Sequence, residues 1–325
     1  MLNNVTSGQG SSERRIASAE LDQHRRLIWG LGYRMLGSAA DADDLVQETF
    51  VRALERPPPD VSRPMRPWLV RVAANLARDR LRARKAQSYP GQWLPSPIPT
   101  AGGHGLESLG DPAPGPEVRY GALESVSFAF LRALEALSPQ QRAVLLLRDV
   151  LDLSVRETSA ALDLSEANVK VSLHRARRAM SSYDEARPVL DAPQRQAIEQ
   201  ALAQLFSCVV SGDVDGVVRV LDEKCEHIAD SGGKVHASRR VLAGALRVAR
   251  FLVGVTKKHV GAKLPSARFV ELNGVPGVLI EGMALGDGFA ERAATMVELG
   301  PDGRVLRVYQ VLAPRKLLAV WPDLE

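Results

Sequence analysis

The side chains that could carry out acid–base chemistry lie close together in the last third of this sequence. They are Asp222, His227, Asp230 and His236, and a histidine beside a carboxylate is a pairing that suits proton abstraction. Scattered histidines and aspartates in a small α+β domain are more often structural than catalytic. We therefore expect no catalytic residues and no enzyme activity.

The two cysteines, Cys208 and Cys225, are the residues best suited to metal binding or disulfide formation. Their spacing matches neither a set of metal ligands nor a disulfide framework. The sequence thus predicts no metal and no cofactor. No run approaches the roughly 18 apolar residues of a membrane-spanning helix, and the polar, Gly/Ser-rich start is unlike a signal peptide. A cytoplasmic protein is expected.

A second chemistry, DNA binding, is indicated by two short helices with a basic surface. Ser154–Glu157 is a capping box, which begins a helix predicted over Val155–Leu162. A tight turn at 163–165 leads into a longer helix from Glu166 to about Ser181, which makes a helix-turn-helix. The second helix of such motifs contacts base edges near its N-terminus, and arginines beyond it hold phosphates. The predicted contacts are Asn168, Lys170, Ser172, His174, Arg175, Arg177 and Arg178. The alternative is a solvated face on an ordinary helical hairpin.

Basic residues also dominate the segment Arg63–Lys85, whose one acid is Asp79. Arginines interleaved with a tryptophan and an asparagine suit a surface that follows a phosphate backbone and contacts unstacked bases. The candidate residues are Arg66, Trp68, Arg71, Asn75, Arg78 and Arg82. A solvated helix face with Trp68 packed in the core explains the pattern equally well.

An acidic helix start precedes this basic segment. Asp41–Asp44 places carboxylates in the first turn of a helix, where the helix dipole favours them. The outward-facing residues of this helix are Asp43, Asp44, Gln47 and Glu48. They form either a solvated face or a protein-binding face.

Five segments of the chain must position these residues. A length of 325 residues predicts two or three domains, because a single hydrophobic core stops growing near roughly 250–300 residues. Residues 1–18 are expected to be a disordered lead, and 19–86 to be helices with apolar residues three and four apart. A Pro/Gly-rich linker occupies 87–116, and the helix-turn-helix segment occupies 117–187. Residues 194–325 alternate between helical and strand patterns, with hairpin turns at Asn273-Gly274 and Pro301–Gly303, which predicts a small α+β domain.

Three blocks in this order resemble the extracytoplasmic-function (ECF) sigma factors of the sigma-70 family. Asp41–Phe50 resembles their core-polymerase-binding helix, and Pro67–Asp79 resembles their promoter-melting helix. Leu137–Val150, with the helix-turn-helix through Met180, is similar to their second DNA-binding domain.

A narrower resemblance concerns a subgroup with a fused C-terminal domain. Tyr89–Pro97 resembles its linker motif, with Trp93, Leu94 and Pro95 at the centre. Asp230–Lys234 and Asn273–Gly277 resemble two motifs of its SnoaL-like domain, a cone-shaped α+β fold of the NTF2-like type. The resemblance implies regulatory contacts between domains at Trp93, Leu94, Pro95, Asp230, Gly232, Gly233 and Lys234. Lys234 would either pair with an acid on another domain or be solvated.

The resemblance implies two all-α domains, sigma region 2 and region 4, followed by the SnoaL-like domain. Region 2 would bind core RNA polymerase through the acidic face and the minus-ten element through the basic segment. Region 4 would read the minus-thirty-five element in promoter DNA. The C-terminal domain would modulate activity, with a small-molecule ligand left open, and the free chain would be monomeric. The alternative is a DNA-binding regulator whose SnoaL-like domain senses a ligand or acts as an enzyme, without acting as a sigma factor.

Overall fold

The computed structural model describes residues 18–60, 63–87, 89–100, 119–186, 190–259, 265–283 and 288–322. Most of the expected disordered lead and the linker residues 101–118 lie outside these ranges. Within them, every helix is too short or too polar to cross a lipid bilayer.

Four helices form the first helical domain: α1 (Ser18–Asp22), α2 (Arg25–Leu36), α3 (Ala39–Glu55) and α4 (Met65–Ala86). Ser38 caps α3, because its side chain accepts a hydrogen bond from the backbone N–H of Asp41. Helix α4 buries an apolar stripe at spacings of three and four, which leaves its arginines on the other faces.

The second helical domain contains α5 (Phe128–Ala133), α6 (Pro139–Asp149), α7 (Val155–Leu162), α8 (Glu166–Ala179) and α9 (Ser181–Ala186). Complete capping boxes begin α6 and α7, at Ser138 and Ser154. Helix α7 ends at Asp163, which adopts the left-handed conformation with φ of 54°. Helices α7 and α8 therefore form the predicted helix-turn-helix.

The C-terminal domain combines helices with a six-stranded sheet. Its helices are α10 (Ala192–Ser211), α11 (Val214–Val220), α12 (Ala245–His259) and α13 (Pro314–Leu317), and its strands are β1 (Leu221–Asp230), β2 (Leu242–Ala243), β3 (Ser266–Leu272), β4 (Val275–Glu281), β5 (Arg292–Leu299) and β6 (Val305–Val311). The strand order is β2-β1-β6-β5-β4-β3, with β1 and β6 parallel and the other neighbours antiparallel. The predicted fold class, two helical domains and one α+β domain, is confirmed.

The two faces of this sheet contact different parts of the molecule. Helices α10, α11 and α12 pack with one face, in a core that includes Val278 and Val308. The opposite face packs with the linker and the second helical domain, in a core that joins Leu94 and Phe128 to Tyr309. The sheet therefore connects the C-terminal domain to the rest of the chain.

The helical domains are packed together, which the sequence analysis did not predict. It expected two helical segments separated by a Pro/Gly-rich linker, whereas one continuous apolar core runs from α2 through α9. Arg142 of α6 is 2% exposed and donates a hydrogen bond of 2.8 Å to the carbonyl oxygen of Met35 in α2. It also contacts Glu135, to which Arg84 of α4 binds at 2.8 Å. Arg142 and Arg84 thus hold the two domains in contact.

Candidate functional site

The N-terminal half of α8 presents the predicted base-reading surface. Its N-cap, Ser165, accepts a hydrogen bond from the backbone N–H of Asn168. Among the predicted contacts on α8, the exposed side chains are Asn168, Lys170, His174, Arg175, Arg177 and Arg178. Ser172 differs, because it is buried and its hydroxyl accepts a hydrogen bond of 2.9 Å from Gln140. We therefore correct its predicted role from a base contact to a packing contact between α6 and α8.

Arg177 also has a structural partner. Its guanidinium makes two hydrogen bonds, of 2.6 and 2.9 Å, with the carboxylate of Asp149, a side chain that is 1% exposed. These hydrogen bonds raise the pKa of Arg177. A buried carboxylate needs such a partner, so Arg177 is committed to holding α8 against α6. This placement argues against its predicted role as a phosphate contact.

The predicted minus-ten surface lies on α4, and the helix-turn-helix covers its centre. Asn75 donates a hydrogen bond of 2.9 Å to the carbonyl oxygen of Ala161, and Arg78 donates one of 3.1 Å to that of Leu162. These carbonyls belong to the last turn of α7, where they have no partner within the helix. Among the other candidates, Arg66, Arg71 and Arg82 are exposed, and Trp68 is half-buried against the core.

The predicted polymerase-binding face of α3 is partly occupied by the tail of the chain. Asp43, Asp44 and Gln47 are exposed, whereas Glu48 is half-buried and accepts hydrogen bonds from Arg52 and Arg80. Arg315 of α13 forms an ion pair with Asp44 and lies 3.4 Å from Asp41. Burial raises the pKa of Asp43, although the Trp29 side chain donates a hydrogen bond to it. The C-terminal domain thus reaches the acidic helix.

Asp230 joins the C-terminal domain to the linker. Its fully buried carboxylate accepts hydrogen bonds from the hydroxyl of Tyr89 at 2.6 Å, the backbone N–H of Leu94 at 2.8 Å and the backbone N–H of Gly232 at 2.9 Å. Lys316 completes the group, because its ammonium donates to Asp230 and to the carbonyl oxygen of Leu94, both at 2.6 Å. We call Tyr89, Leu94, Asp230 and Lys316 the linker site.

The lysine of this site is Lys316 and not Lys234, for which the sequence analysis left pairing with an acid on another domain or solvation open. Lys234 is exposed, and its ammonium makes no hydrogen bond or ion pair with any residue that the structure describes. Lys316 is buried instead, and burial lowers its pKa to about 8 while the neighbouring Asp230 opposes that shift. Lys234 follows a turn in which Gly232 and Gly233 both have positive φ.

The glycine turn and the linker motif meet, as the paired motifs implied. A Cβ on Gly233 would lie 2.7 Å from Pro90, so only glycine fits at this approach. Trp93 lies between two cations, with Arg84 at 4.4 Å and the Lys316 nitrogen at 4.3 Å from its ring centroid. Leu94 and Pro95 are buried. The indole also covers Gly37, where a Cβ would lie 2.3 Å from the ring.

Asn273 makes a second connection between the domains. The sequence analysis placed this residue in a hairpin turn without assigning it a contact. Its amide side chain is fully buried and accepts a hydrogen bond of 3.0 Å from the backbone N–H of Ile98. The same side chain donates to the hydroxyl of Tyr33 at 2.6 Å and to the carbonyl oxygen of Val126 at 2.8 Å. One turn residue thus binds the linker and both helical domains.

Two of the candidate acid–base residues, His227 and Asp230, are separated in the structure. His227 and Asp230 are on β1 with opposite parity, and successive strand residues face opposite sides of a sheet. His227 faces a cavity between the sheet and the helices, whereas Asp230 faces the linker. His227 and Asp230 therefore do not form the acid–base pair that their closeness in the sequence left open.

Comparison with known proteins agrees with this organisation. Sequence models of two families match: Sigma-70 region 2 over residues 21–87, and Sigma-70, region 4 over residues 127–180. The ECF RNA polymerase sigma factor SigJ of Mycobacterium tuberculosis is 30% identical over 302 residues, which cover 92% of each chain. SigG of the same organism is 34% identical over 215 residues, which cover 62% of this chain and 58% of SigG.

A solved structure extends the likeness to the C-terminal domain. The crystal structure of Mycobacterium tuberculosis SigJ aligns with a TM-score of 0.65 and 27% identity, and the alignment covers 93% of this chain and 98% of that one. The α+β domain has the SnoaL-like architecture that its motifs imply. The chain therefore belongs to the extracytoplasmic-function sigma factors of the sigma-70 family.

Proposed function

We propose that this chain directs core RNA polymerase to specific promoters, and that its C-terminal domain modulates this activity through the linker. The observation that carries the proposal is the order of matching regions, region 2 followed by region 4, with an exposed basic α8 in the second. In this role the chain makes and breaks no bonds, since the chemistry belongs to the polymerase.

The surface proposed to read duplex DNA is smaller than the one predicted from sequence. We assign Asn168, Lys170 and His174 to base edges in the major groove, because Asn168 and Lys170 lie in the N-terminal half of α8 and His174 is exposed about one helical turn beyond Lys170. Arg175 and Arg178 remain as phosphate contacts. Replacing Arg178 by alanine should weaken binding to all sequences alike and flatten its salt dependence, as loss of a phosphate contact does.

The minus-ten surface is proposed to act only after the helical domains separate. Asn75 and Arg78 are bonded to the end of α7, so unpaired bases cannot reach them in this arrangement. Stacked bases contribute about 1–3 kcal/mol each, which supports strand opening once the surface is free. We expect the free chain to bind a minus-thirty-five duplex, and to bind a single-stranded minus-ten oligonucleotide only when core polymerase is present.

The polymerase-binding face is proposed to be Asp43, Asp44, Gln47 and Glu48 on α3. Arg315 shields part of this face by pairing with Asp44. Binding of the polymerase would therefore compete with the contact between α13 and α3. This competition offers a route by which the C-terminal domain affects assembly.

The proposal is tested by assembly and run-off transcription with core polymerase on genomic fragments. Asp44→Lys combined with Gln47→Lys adds positive charge to the proposed face at two exposed positions. Asp302→Lys combined with Glu223→Lys is the matched control, because both residues are exposed and lie in the C-terminal domain. The first pair should weaken a pull-down with core polymerase and reduce run-off product, whereas the control should do neither.

Two results would contradict the proposal. Equal pull-down by the two charge-altered proteins would show that α3 is not the polymerase-binding face. Sequence-specific DNA binding by the unaltered chain without polymerase binding or run-off product would favour the alternative, a DNA-binding regulator that does not act as a sigma factor.

A further inference from the structure

The C-terminal domain contains a cavity of about 400 Å³, which the proposed function does not use. It lies between the sheet face that His227 occupies and the helices α10 and α12, and its volume is in the range of small-molecule sites. The linker site is on the opposite face of the same sheet. The cavity is therefore separate from the contacts that hold the domains together.

The chemistry of the cavity wall limits what it could bind. Phe206, Phe251 and Phe289 line it together with aliphatic side chains and Met283. Within the part of the chain that the structure describes, no lining residue is an aspartate, glutamate, lysine or arginine. A charged ligand would lose its hydration without gaining an opposite charge, which is costly in such a site. The wall thus favours a neutral, largely apolar molecule.

Two buried polar atoms on the wall have no hydrogen-bond partner among the described residues: Nδ1 of His227 and Oγ1 of Thr295. His227 is fully buried, and Thr295 is 6% exposed. Buried polar atoms are nearly always paired in folded proteins, so two such atoms facing one cavity need an explanation. A ligand that carries a polar group supplies one.

The two atoms are part of a polar row that crosses three neighbouring strands. His227 is on β1, Gln310 on β6 and Thr295 on β5, and Gln310 pairs directly with Thr295 in the sheet. The Nε2 atom of His227 lies 3.3 Å from Oε1 of Gln310. With that oxygen accepting, Nε2 carries the proton and Nδ1 is an acceptor. Burial lowers the pKa of His227 to about 4, so the ring is neutral near pH 7.

We propose that this cavity binds a neutral, mainly aromatic or aliphatic small molecule whose hydroxyl group accepts a hydrogen bond from Oγ1 of Thr295. The three phenylalanines suit a flat ring system. The hydroxyl gives Thr295 a partner without bringing a charge, whereas a hydrocarbon offers no partner and a carboxylate brings a charge that no lining residue among those described pairs. The site thereby discriminates an alcohol or phenol from its unsubstituted and ionised analogues.

The test uses the full-length chain and three related probes at pH 7.5: 2-naphthol, naphthalene and 2-naphthoate. Binding is followed by fluorescence titration. The alcohol should bind at one site, and naphthalene should bind about tenfold more weakly, since one net hydrogen bond is roughly a factor of ten in affinity. The anion 2-naphthoate should not bind.

Two variants locate the site, and one controls for the substitution. Thr295→Val removes the hydroxyl without changing the shape of the side chain, and should abolish most of the preference for 2-naphthol over naphthalene. Val255→Phe fills the cavity and should weaken both neutral probes. Thr158→Val is the matched control, because Oγ1 of Thr158 is also buried and unpartnered among the described residues, but lies in α7. It should leave binding unchanged.

Thermal unfolding of each variant verifies that the fold is retained. Equal affinity for 2-naphthol and naphthalene in the unaltered chain would overturn the assignment of the hydroxyl. An unchanged affinity in Val255→Phe, or the absence of saturable binding by both neutral probes, would overturn the assignment of the cavity. None of these results depends on polymerase or promoter binding, so failure here is distinct from failure of the proposed function.

Discussion

Replacing Asp230 by asparagine should detach the linker and destabilise the protein. The change removes the negative charge opposite Lys316, whose side chain is 8% exposed, while that of Asp230 is fully buried. Breaking a buried ion pair by removing one partner costs about 3–5 kcal/mol, because the remaining charge stays buried without compensation. In either orientation the amide nitrogen would also face a backbone N–H, that of Leu94 or that of Gly232, so two donors would oppose each other in place of one of the present hydrogen bonds.

Lys316→Met is the complementary change, and the double variant distinguishes a true pair from two independent effects. Methionine approximates the length of lysine without its charge, and the carboxylate keeps its bonds from Tyr89 and from the backbone of Leu94 and Gly232. The double variant leaves no unpaired charge, so its cost should be smaller than the sum of the single costs. Interaction energies between directly contacting groups are about 0.5–3 kcal/mol, and a value in the upper part of that range is expected here.

Chemical denaturation gives the free energy of unfolding, and chymotrypsin cleavage after Trp93 reports release of the linker. Asp302→Asn provides the control, because it makes the same chemical change in an exposed pair with Arg304, where an effect below about 1 kcal/mol is expected. If Asp230→Asn is no more destabilising than Asp302→Asn, or if the costs of the single changes simply add, the linker site does not hold the domains as argued.

Three further predictions concern other contacts in the structure. Gly37→Ala should lower the unfolding midpoint more than Gly303→Ala in a thermal melt, because both glycines have positive φ but only Gly37 has the Trp93 ring in the space of the new Cβ. Because burial lowers the pKa of His227, the unfolded chain binds more protons than the folded chain between about pH 6.5 and 4. The burial of this histidine therefore makes a contribution of up to about 3 kcal/mol to the free energy of unfolding, which is present above pH 6.5 and lost as the pH falls through 4. His227→Gln should therefore flatten the pH dependence of unfolding in that window, and an unchanged slope would contradict the burial argument. Arg177→Met should lower stability as well as DNA binding, since it leaves a buried carboxylate unpaired; a loss of DNA affinity alone would restore its role as a phosphate contact.

Local signals in the sequence predicted the helix-turn-helix accurately. The capping box at Ser154 begins α7, which spans Val155–Leu162 as predicted. The hairpin turn predicted at Asn273-Gly274 joins β3 to β4. Each of these features depends on residues a few positions apart, so a pattern in the sequence is sufficient to specify it.

Other elements depend on pairing across long stretches of chain. Strand β1 contains several charged residues and was not predicted as a strand, because its parallel pairing with β6 connects residues about 80 positions apart. The packing of the two helical domains was likewise not predicted. Its polar contacts, such as Arg142 to Met35, join residues 107 positions apart, and the linker between them offered no local indication of closure.

The partner of Asp230 shows which signal would have been informative. Lys234 is four residues away and was named through the resemblance to a family motif, whereas Lys316 is 86 positions away. Lys316 is followed by a run of apolar residues that ends at Trp321. A lysine next to such a run must either extend its ammonium to solvent or meet a buried acid. Asp230 follows the apolar pair Ile228-Ala229, so it too is an acid in an apolar context. Matching the two by that context, rather than by their distance along the chain, identifies the ion pair, because burial of one charge requires the other.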